Sequence, residues 1–284
     1  VNVVDPHVAV ITSIGLDHTQ WLGTDREAIG AEKAGILRHG IPLVLGDPDP
    51  PASILSHARA TGAPVDAVGR DWELETGEDE WCIRAGDSQI GPLPYGPLTG
   101  PLVRNAACAM RACGHVKELG LPAARVLGDA LSGLTLPGRM QRIGANWVVD
   151  LAHNPEGARA LAAELADPPG RGRTLAVFGM LADKDIDAVV DAMRPVVDRW
   201  LIANVDNDRG EPVERLRERL CNLGCESVSC HTDVDSACLA ARTEAAVGDR
   251  IVAFGSFHVV APALEFLGVY SPASHTRGAG VTPR

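Results

Sequence analysis

Lysine is scarce in this sequence: Lys33, Lys117 and Lys184 stand against twenty-three arginines. Chemistry is one reason to keep a lysine in such a chain, because a primary amine can be deprotonated or modified and a guanidinium cannot. Lys33 lies in Glu-Lys-Ala-Gly-Ile, and Lys184 is flanked by Asp183 and Asp185 just past an apolar run. Taken alone, each also reads as an exposed helical lysine, and Lys117 reads as nothing more. A second group is Asp150-Leu151-Ala152-His153-Asn154-Pro155. Asn154-Pro155 is a helix start, since Asn caps free N–H groups and Pro is tolerated at the first helical position. A cap does not explain Asp150 and His153, which set an acid and an imidazole beside a helix start that favours an anion. A third group, Leu16-Asp17-His18, also follows an apolar run. A neutral imidazole there can ligate a metal or hydrogen-bond within its loop.

These residues need elements to hold them. Residues 8–13 (VAVITS) read as a strand buried on both faces. Thr24 followed three residues on by Glu27 forms a capping box that starts a helix running toward Arg38. A strand at 42–45, a helix at 52–61 and two strands within 81–95 around Gly86-Asp87 follow. Residues 91–101 read as a loop, 104–118 and 122–131 as helices, and Leu136-Pro137-Gly138-Arg139 as a breaker and domain boundary. Beyond it apolar runs at 147–150, 175–178, 200–203, 227–229 and 251–254 alternate with helical stretches at 155–166, 185–197, 212–223, 234–247 and 260–266. Strict alternation implies a parallel sheet covered on both faces, with ligands outside the carboxyl ends of its strands. The residues that matter are therefore 150–155, 179–185 and 255–258. Residues 271–284 lack periodicity and read as a disordered tail.

Net charge of −11 and 4% aromatic residues argue against a nucleic-acid surface, which needs clustered Lys and Arg. No apolar run approaches the roughly 20 residues that span a bilayer, so no membrane role is expected and the cytoplasm is the default location. Seven cysteines without CxxC spacing read as reduced, small hydrophobes. There is no GxxxxGK[ST], no strand-linked GxGxxG and no GxSxG. The opening Val1-Asn2-Val3-Val4 has neither Met nor a signal-like segment, so the sequence reads as a piece of a longer chain. Composition and spacing reach a two-part α/β protein with polar residues gathered at strand ends.

Five strings carry more: SIGLDHTQWLGTDREAIGAEKAGILR (13–38), LPGRMQ (136–141), VVDLAHNPEGA (148–158), VFGMLADKDI (177–186) and GSFHVV (255–260). In order and spacing they resemble the bacterial folylpolyglutamate synthase/dihydrofolate synthase family of Mur-type ligases, over nearly the whole chain to about Tyr270. The resemblance implies an α/β fold in which 1–138 is the remainder of a P-loop-type central ATPase domain. A Rossmann-like parallel-sheet domain at 139–270 would follow it. It implies ATP and Mg²⁺ as cofactors, and a monomer whose partners are small molecules: ATP, L-glutamate, and dihydropteroate or a folate. A carboxylate phosphorylated by ATP would be attacked by the glutamate amine, with charge neutralised by Mg²⁺ and cationic side chains.

Position by position, the resemblance makes His18 a Mg²⁺ ligand and Lys33 a carbamate that holds a second Mg²⁺, which only a primary amine allows. It gives Asn105, Arg139 and Asp150 to the nucleotide, Arg139 toward phosphate oxygens. His153 and Ser256, with Asp183 and Lys184, fall to the incoming glutamate, and Lys33, Arg139 and His153 are the catalytic set. The family's P-loop and a Mg²⁺-binding Glu precede the segment in which Val1 lies, and this sequence contains neither. A chain of this extent is expected to be weakly active or inactive alone. Two other readings stay open: a Mur-type ligase for another substrate, and a non-catalytic relative that binds nucleotide or folate.

Overall fold

The computed structural model describes residues 3–15, 25–116, 122–166 and 172–269. The chain divides into two compact units, Val1–Thr135 and Leu136–Arg284. This division lies three residues before the boundary expected after Gly138. Gly138 belongs to the second unit because its N–H donates to Gln141 Oε1 at 2.9 Å and its carbonyl accepts from Leu151 N at 2.8 Å.

The first unit opens with β1 (Ala9–Ile11), α1 (Arg26–Ala34), β2 (Leu43–Leu45), α2 (Ala52–Thr61) and β3 (Val65–Ala67). The strands pair in parallel in the order β1-β2-β3. Every residue of the central strand β2 is buried, as a short unbroken apolar run requires. Ile29, Ala34 and Leu37 pack with Ile54 and Ala58 over the sheet. An antiparallel sheet follows, of β4 (Glu73–Thr76), β5 (Glu80–Ala85) and β6 (Ser88–Pro94), then α3 (Pro101–His115) and α4 (Ala124–Ser132). Strand β4 escaped the sequence reading because ELET is mostly exposed and carries no apolar alternation. Strand β6 occupies part of the expected loop at 91–101, and α3 starts at Pro101, since proline is tolerated in a first turn.

The capping box expected at Thr24 falls on a residue that is not described, and the helix has a cap one residue later. Thr24 lies outside the described residues, and the N-cap of α1 is Asp25, whose side chain accepts from Ala28 N at 2.7 Å. Glu27 serves a second helix. Its carboxylate accepts from Ala52 N at 2.9 Å and Ser53 N at 2.8 Å, capping α2, whose N-cap position is Pro51 and offers no side-chain acceptor. Those donors hold the Glu27 carboxyl below its ordinary range.

The second unit contains β7 (Gln141–Ile143), β8 (Trp147–Val149), α5 (Pro155–Leu165), β9 (Thr174–Phe178), α6 (Ile186–Met193) and β10 (Arg199–Ala203). The rest is α7 (Val213–Asn222), β11 (Val228–His231), α8 (Val234–Glu244), β12 (Arg250–Phe254) and α9 (Phe257–Phe266). The sheet order is β11-β10-β9-β12-β8-β7, parallel throughout except for the β7–β8 hairpin. Successive residues face opposite sides, and both sides are covered. Val148, Ala176, Phe178, Ile202, Val252 and Phe254 enter one core with α5, α6 and α7. Val149, Leu175, Val177, Leu201, Ile251 and Ala253 enter the other, with α8 and α9. Helix α6 stops at Met193 before a 3₁₀ turn at Arg194–Val196, where Pro195 cannot continue the ladder. Helix α8 ends at Glu244, ahead of the expected Val247, and α9 starts at Phe257, ahead of the expected Val260. No helix among the described residues is long and apolar enough to cross a membrane.

The cysteines sort by burial. Cys108, Cys225 and Cys238 are buried and Cys221 and Cys230 exposed, with burial pushing the Cys238 thiol up to about 12 and Cys108 to about 11. Only the thiolate reacts. Timed alkylation with mass spectrometry is expected to modify Cys221 and Cys230 first and Cys108 and Cys238 only after denaturation. Native-state labelling of Cys238 at the rate of Cys221 would contradict this packing.

Candidate functional site

In the second unit β12 lies between β8 and β9, so the turns after those three strands share one edge of the sheet. This brings together Asp150 and His153, Ser256, and Asp183 with Lys184.

Asp150 follows β8 and is 9% exposed. Its Oδ2 accepts from Met140 N and its Oδ1 from Ala152 N, each at 2.8 Å, so one carboxylate stitches the 136–141 turn to the loop after the strand. Burial raises this carboxyl above its ordinary value; the two N–H donors, Arg139 and His153 pull in the other direction without overcoming it. Met140 has φ +45, a strained left-handed value for a residue with a side chain. Its buried side chain and the bond to Asp150 hold it there, and Arg139, next to it, remains exposed.

His153 Nδ1 lies 2.8 Å from Leu151 O. A carbonyl only accepts, so Nδ1 is protonated and donates to it. Asn154 is the N-cap of α5, taking the N–H of Gly157 at 2.8 Å. Its role as a cap accounts for it.

Ser256 is 4% exposed at the N-cap of α9, makes no capping bond, and its Oγ is buried without a hydrogen-bond partner among the described residues. Buried polar groups are nearly always paired, and a helix start favours an anion, so this hydroxyl suits a ligand oxygen. The loop after β9 is fastened to the loop after β10: Ala182 N donates to Arg209 O at 2.8 Å and Glu211 N to Met180 O at 2.9 Å. Arg209 also approaches Asp183 at 3.7 Å. Asn207 and Arg209 lie in the run Asn204–Arg209 after β10, which the strand-end rule also reaches and which carries polar residues as its signal. His258 stands in the string GSFHVV, in the first turn of α9. Two cavities of this unit, ≈ 590 Å³ around Asn146 and Gly248 and ≈ 730 Å³ around Glu214 and Cys230, hold none of these residues.

The first unit carries the remaining candidates. Lys33, in the last turn of α1, is 47% exposed, with Nζ 2.9 Å from Glu32 Oε2. With Glu32 and Ile36 it lines a cavity of ≈ 500 Å³ beside Thr12, Ser13 and Ile14, which follow β1. Arg26 holds that stretch by donating to Ile14 O, while Asp47 accepts from Ile14 N and Arg26 Nη2. Asn105 is exposed on α3. His18 lies outside the described residues. Among the described residues no group of three or more His, Cys, Asp or Glu is placed to hold a metal ion.

Residues 138–257 match the Mur ligase, glutamate ligase domain family. The chain is 37% identical over 270 residues to the dihydrofolate synthase/folylpolyglutamate synthase of Escherichia coli, covering 94% of this chain and 61% of that protein. Its fold superposes on a solved structure of E. coli FolC with DHPP and ADP at a TM-score of 0.85 and 36% identity, covering 94% of this chain and 63% of that one. A bifunctional folylpolyglutamate synthase/dihydrofolate synthase solved with Mn, AMPPNP and L-glutamate bound gives 0.83 and 36% at the same coverage. The chain thus spans about three fifths of the length of the relatives it matches.

Proposed function

Because the chain belongs to the dihydrofolate synthase/folylpolyglutamate synthase family of Mur ligases, we propose that it serves an ATP-dependent ligase joining L-glutamate to dihydropteroate, to a folate, or to both. What supports this reading is the strand order, which sets the loops carrying Asp150, His153, Ser256, Asp183 and Lys184 after three neighbouring strands, inside the stretch that matches a glutamate ligase domain.

ATP, when bound, supplies the phosphoryl group that activates the acceptor carboxylate as an acyl phosphate. The chain's own residues then bind and orient. The orphaned hydroxyl of Ser256 and the ammonium of Lys184 suit the carboxylates of the entering glutamate. His153, whose Nδ1 donates to Leu151 O, is assigned the proton that the entering ammonium must lose before attack. The amine nitrogen bonds to the acyl carbon, and the carbon–oxygen bond to phosphate breaks. Arg139, exposed beside a strained turn, is suited to phosphate oxygens, and Asp150, which holds that turn, is assigned to the nucleotide with it. The described residues do not form a divalent-cation site by themselves; a carbamate on Lys33 beside Glu32 would add an anionic donor, with His18 as a further ligand.

The 284 residues contain no GxxxxGK[ST], which favours the binding-only reading for the chain taken alone. A chimera decides between the two: this chain joined to the portion of the E. coli relative that it does not span. ATP-dependent incorporation of labelled glutamate is expected from the chimera and only background from the chain. A folded chimera that binds nucleotide yet incorporates nothing would leave the binding-only reading in its place.

A further inference from the structure

The loop between β10 and α7 ties down a histidine to which the family reading gives no role. The backbone N–H of Arg209 donates to Oδ1 of Asn207 at 2.9 Å. A backbone amide only donates, so the other amide atom of Asn207 is the nitrogen, and the usual ambiguity of an Asn side chain is removed. That Nδ2 lies 3.1 Å from Nε2 of His258. An NH₂ group also only donates. Nε2 of His258 is therefore unprotonated, and the ring carries its proton on Nδ1.

Strand β9 lies between β10 and β12, so this bond joins loops on either side of β9 across its carboxyl end. The first residue after β9 is Gly179, where a Cβ would come within 2.8 Å of Val205 Cγ1 and 2.9 Å of Ala203 O. The crossing is tight enough to need a glycine. It fixes the turn Gly255-Ser256-Phe257-His258 relative to the loop already fastened to Asp183. Two residues before His258 stands Ser256, buried, unpartnered and at the start of a ten-residue helix. Among the described residues no hydrogen-bond partner takes Nδ1 of His258, which is half-buried.

We propose that Asn207 is a positioning residue that enforces the Nδ1–H tautomer of His258, making the imidazole a second donor, beside Ser256, to a carboxylate of the incoming amino acid at the amino end of α9. The opposite tautomer would turn a lone pair toward that carboxylate and repel it. The inference rests on the reading of this unit as a glutamate-binding domain, and it adds two residues and a tautomer to that reading.

The test is Asn207→Asp, which keeps size and the acceptor for Arg209 N–H but replaces the donor facing His258 by an acceptor. L-glutamate binding to the full chain is followed by calorimetry, and the His258 ring by imidazole ¹⁵N NMR. In buffer alkaline enough to keep the ring neutral, the proton is expected to leave Nδ1 for Nε2 in the variant, and the Kd for L-glutamate to rise about tenfold or more, the weight of one hydrogen bond to a charged group. Asn207→Ala, which removes the donor without supplying an acceptor, is expected to weaken binding less. A flipped tautomer with unchanged affinity overturns the proposal and leaves the glutamate-domain reading standing, as does an unchanged tautomer in N207D. Absence of L-glutamate binding by the wild-type chain overturns both together.

Discussion

Lys33→Arg is expected to cut ATP-dependent glutamate incorporation by the chimera by about 10²–10³-fold, the scale of losing one preorganised electrostatic group. Its melting temperature should hardly move. The position separates two explanations of this lysine. Lys33 is in the last turn of α1, where any cation is favoured by the helix dipole, and it pairs with Glu32 at 2.9 Å. Arginine satisfies both of those roles. It cannot carry a carbamate, since a guanidinium offers no free amine to carbon dioxide. A half-exposed Nζ beside an open cavity is the setting such a reaction needs. Turnover of the Lys33→Arg chimera equal to the parent would remove the carbamate and keep the structural cation.

Asp150→Ala is expected to destabilise the second unit by about 2–5 kcal/mol, because two buried N–H groups, on Met140 and Ala152, each lose their acceptor. For a unit of this size that is a fall of about 10 °C in melting temperature. The strained φ of Met140 would lose one of its two restraints, so Arg139 should no longer be presented in one orientation. Glutamate incorporation is expected to fall with it. An unchanged melting temperature in the ligand-free variant would show that the stitch between the 136–141 turn and β8 carries no weight.

The same carboxylate makes an acid–base prediction of unusual sign. Burial raises the folded-state pKa of Asp150 above its unfolded value, so the folded protein holds that proton more tightly. Its ionisation therefore costs stability. The contribution is most favourable below the unfolded pKa, declines as pH rises through the window up to the folded pKa, and is constant above it. Glu27, lowered by its backbone donors, runs the other way and loses its contribution as the medium becomes acidic. The difference in melting temperature between wild type and Asp150→Asn, followed across acidic pH, should shrink as pH rises through that window. A difference that grows with pH would reverse the assignment of burial as the dominant cause.

Much of the second unit was legible in the sequence because its signals are local. A strand buried on both faces must be an apolar run, as in Leu175–Phe178 and Ile251–Phe254, and Asn154-Pro155 starts a helix whatever surrounds it. Where the deciding partner was remote, the sequence misled. Glu27 three residues after Thr24 matches a capping box, yet its carboxylate goes to a helix twenty-five residues on, because Pro51 leaves that helix without a cap of its own. Strand β4 exists through pairing with β5, and its own residues carry no pattern.

The sequence by itself determined the alternation of strands and helices, the polar residues at their ends and the scarcity of lysine that singled out Lys33. All of these follow from periodicities and residue types that act within a few positions. Only the tertiary structure decided that β12 lies between β8 and β9, that Asp150 spends its carboxylate on two backbone donors, that Ser256 has no partner, and that Asn207 fixes the proton of His258. Strand order and hydrogen-bond partners depend on which distant segments share a surface once both faces of the sheet are buried, and local pattern does not encode that.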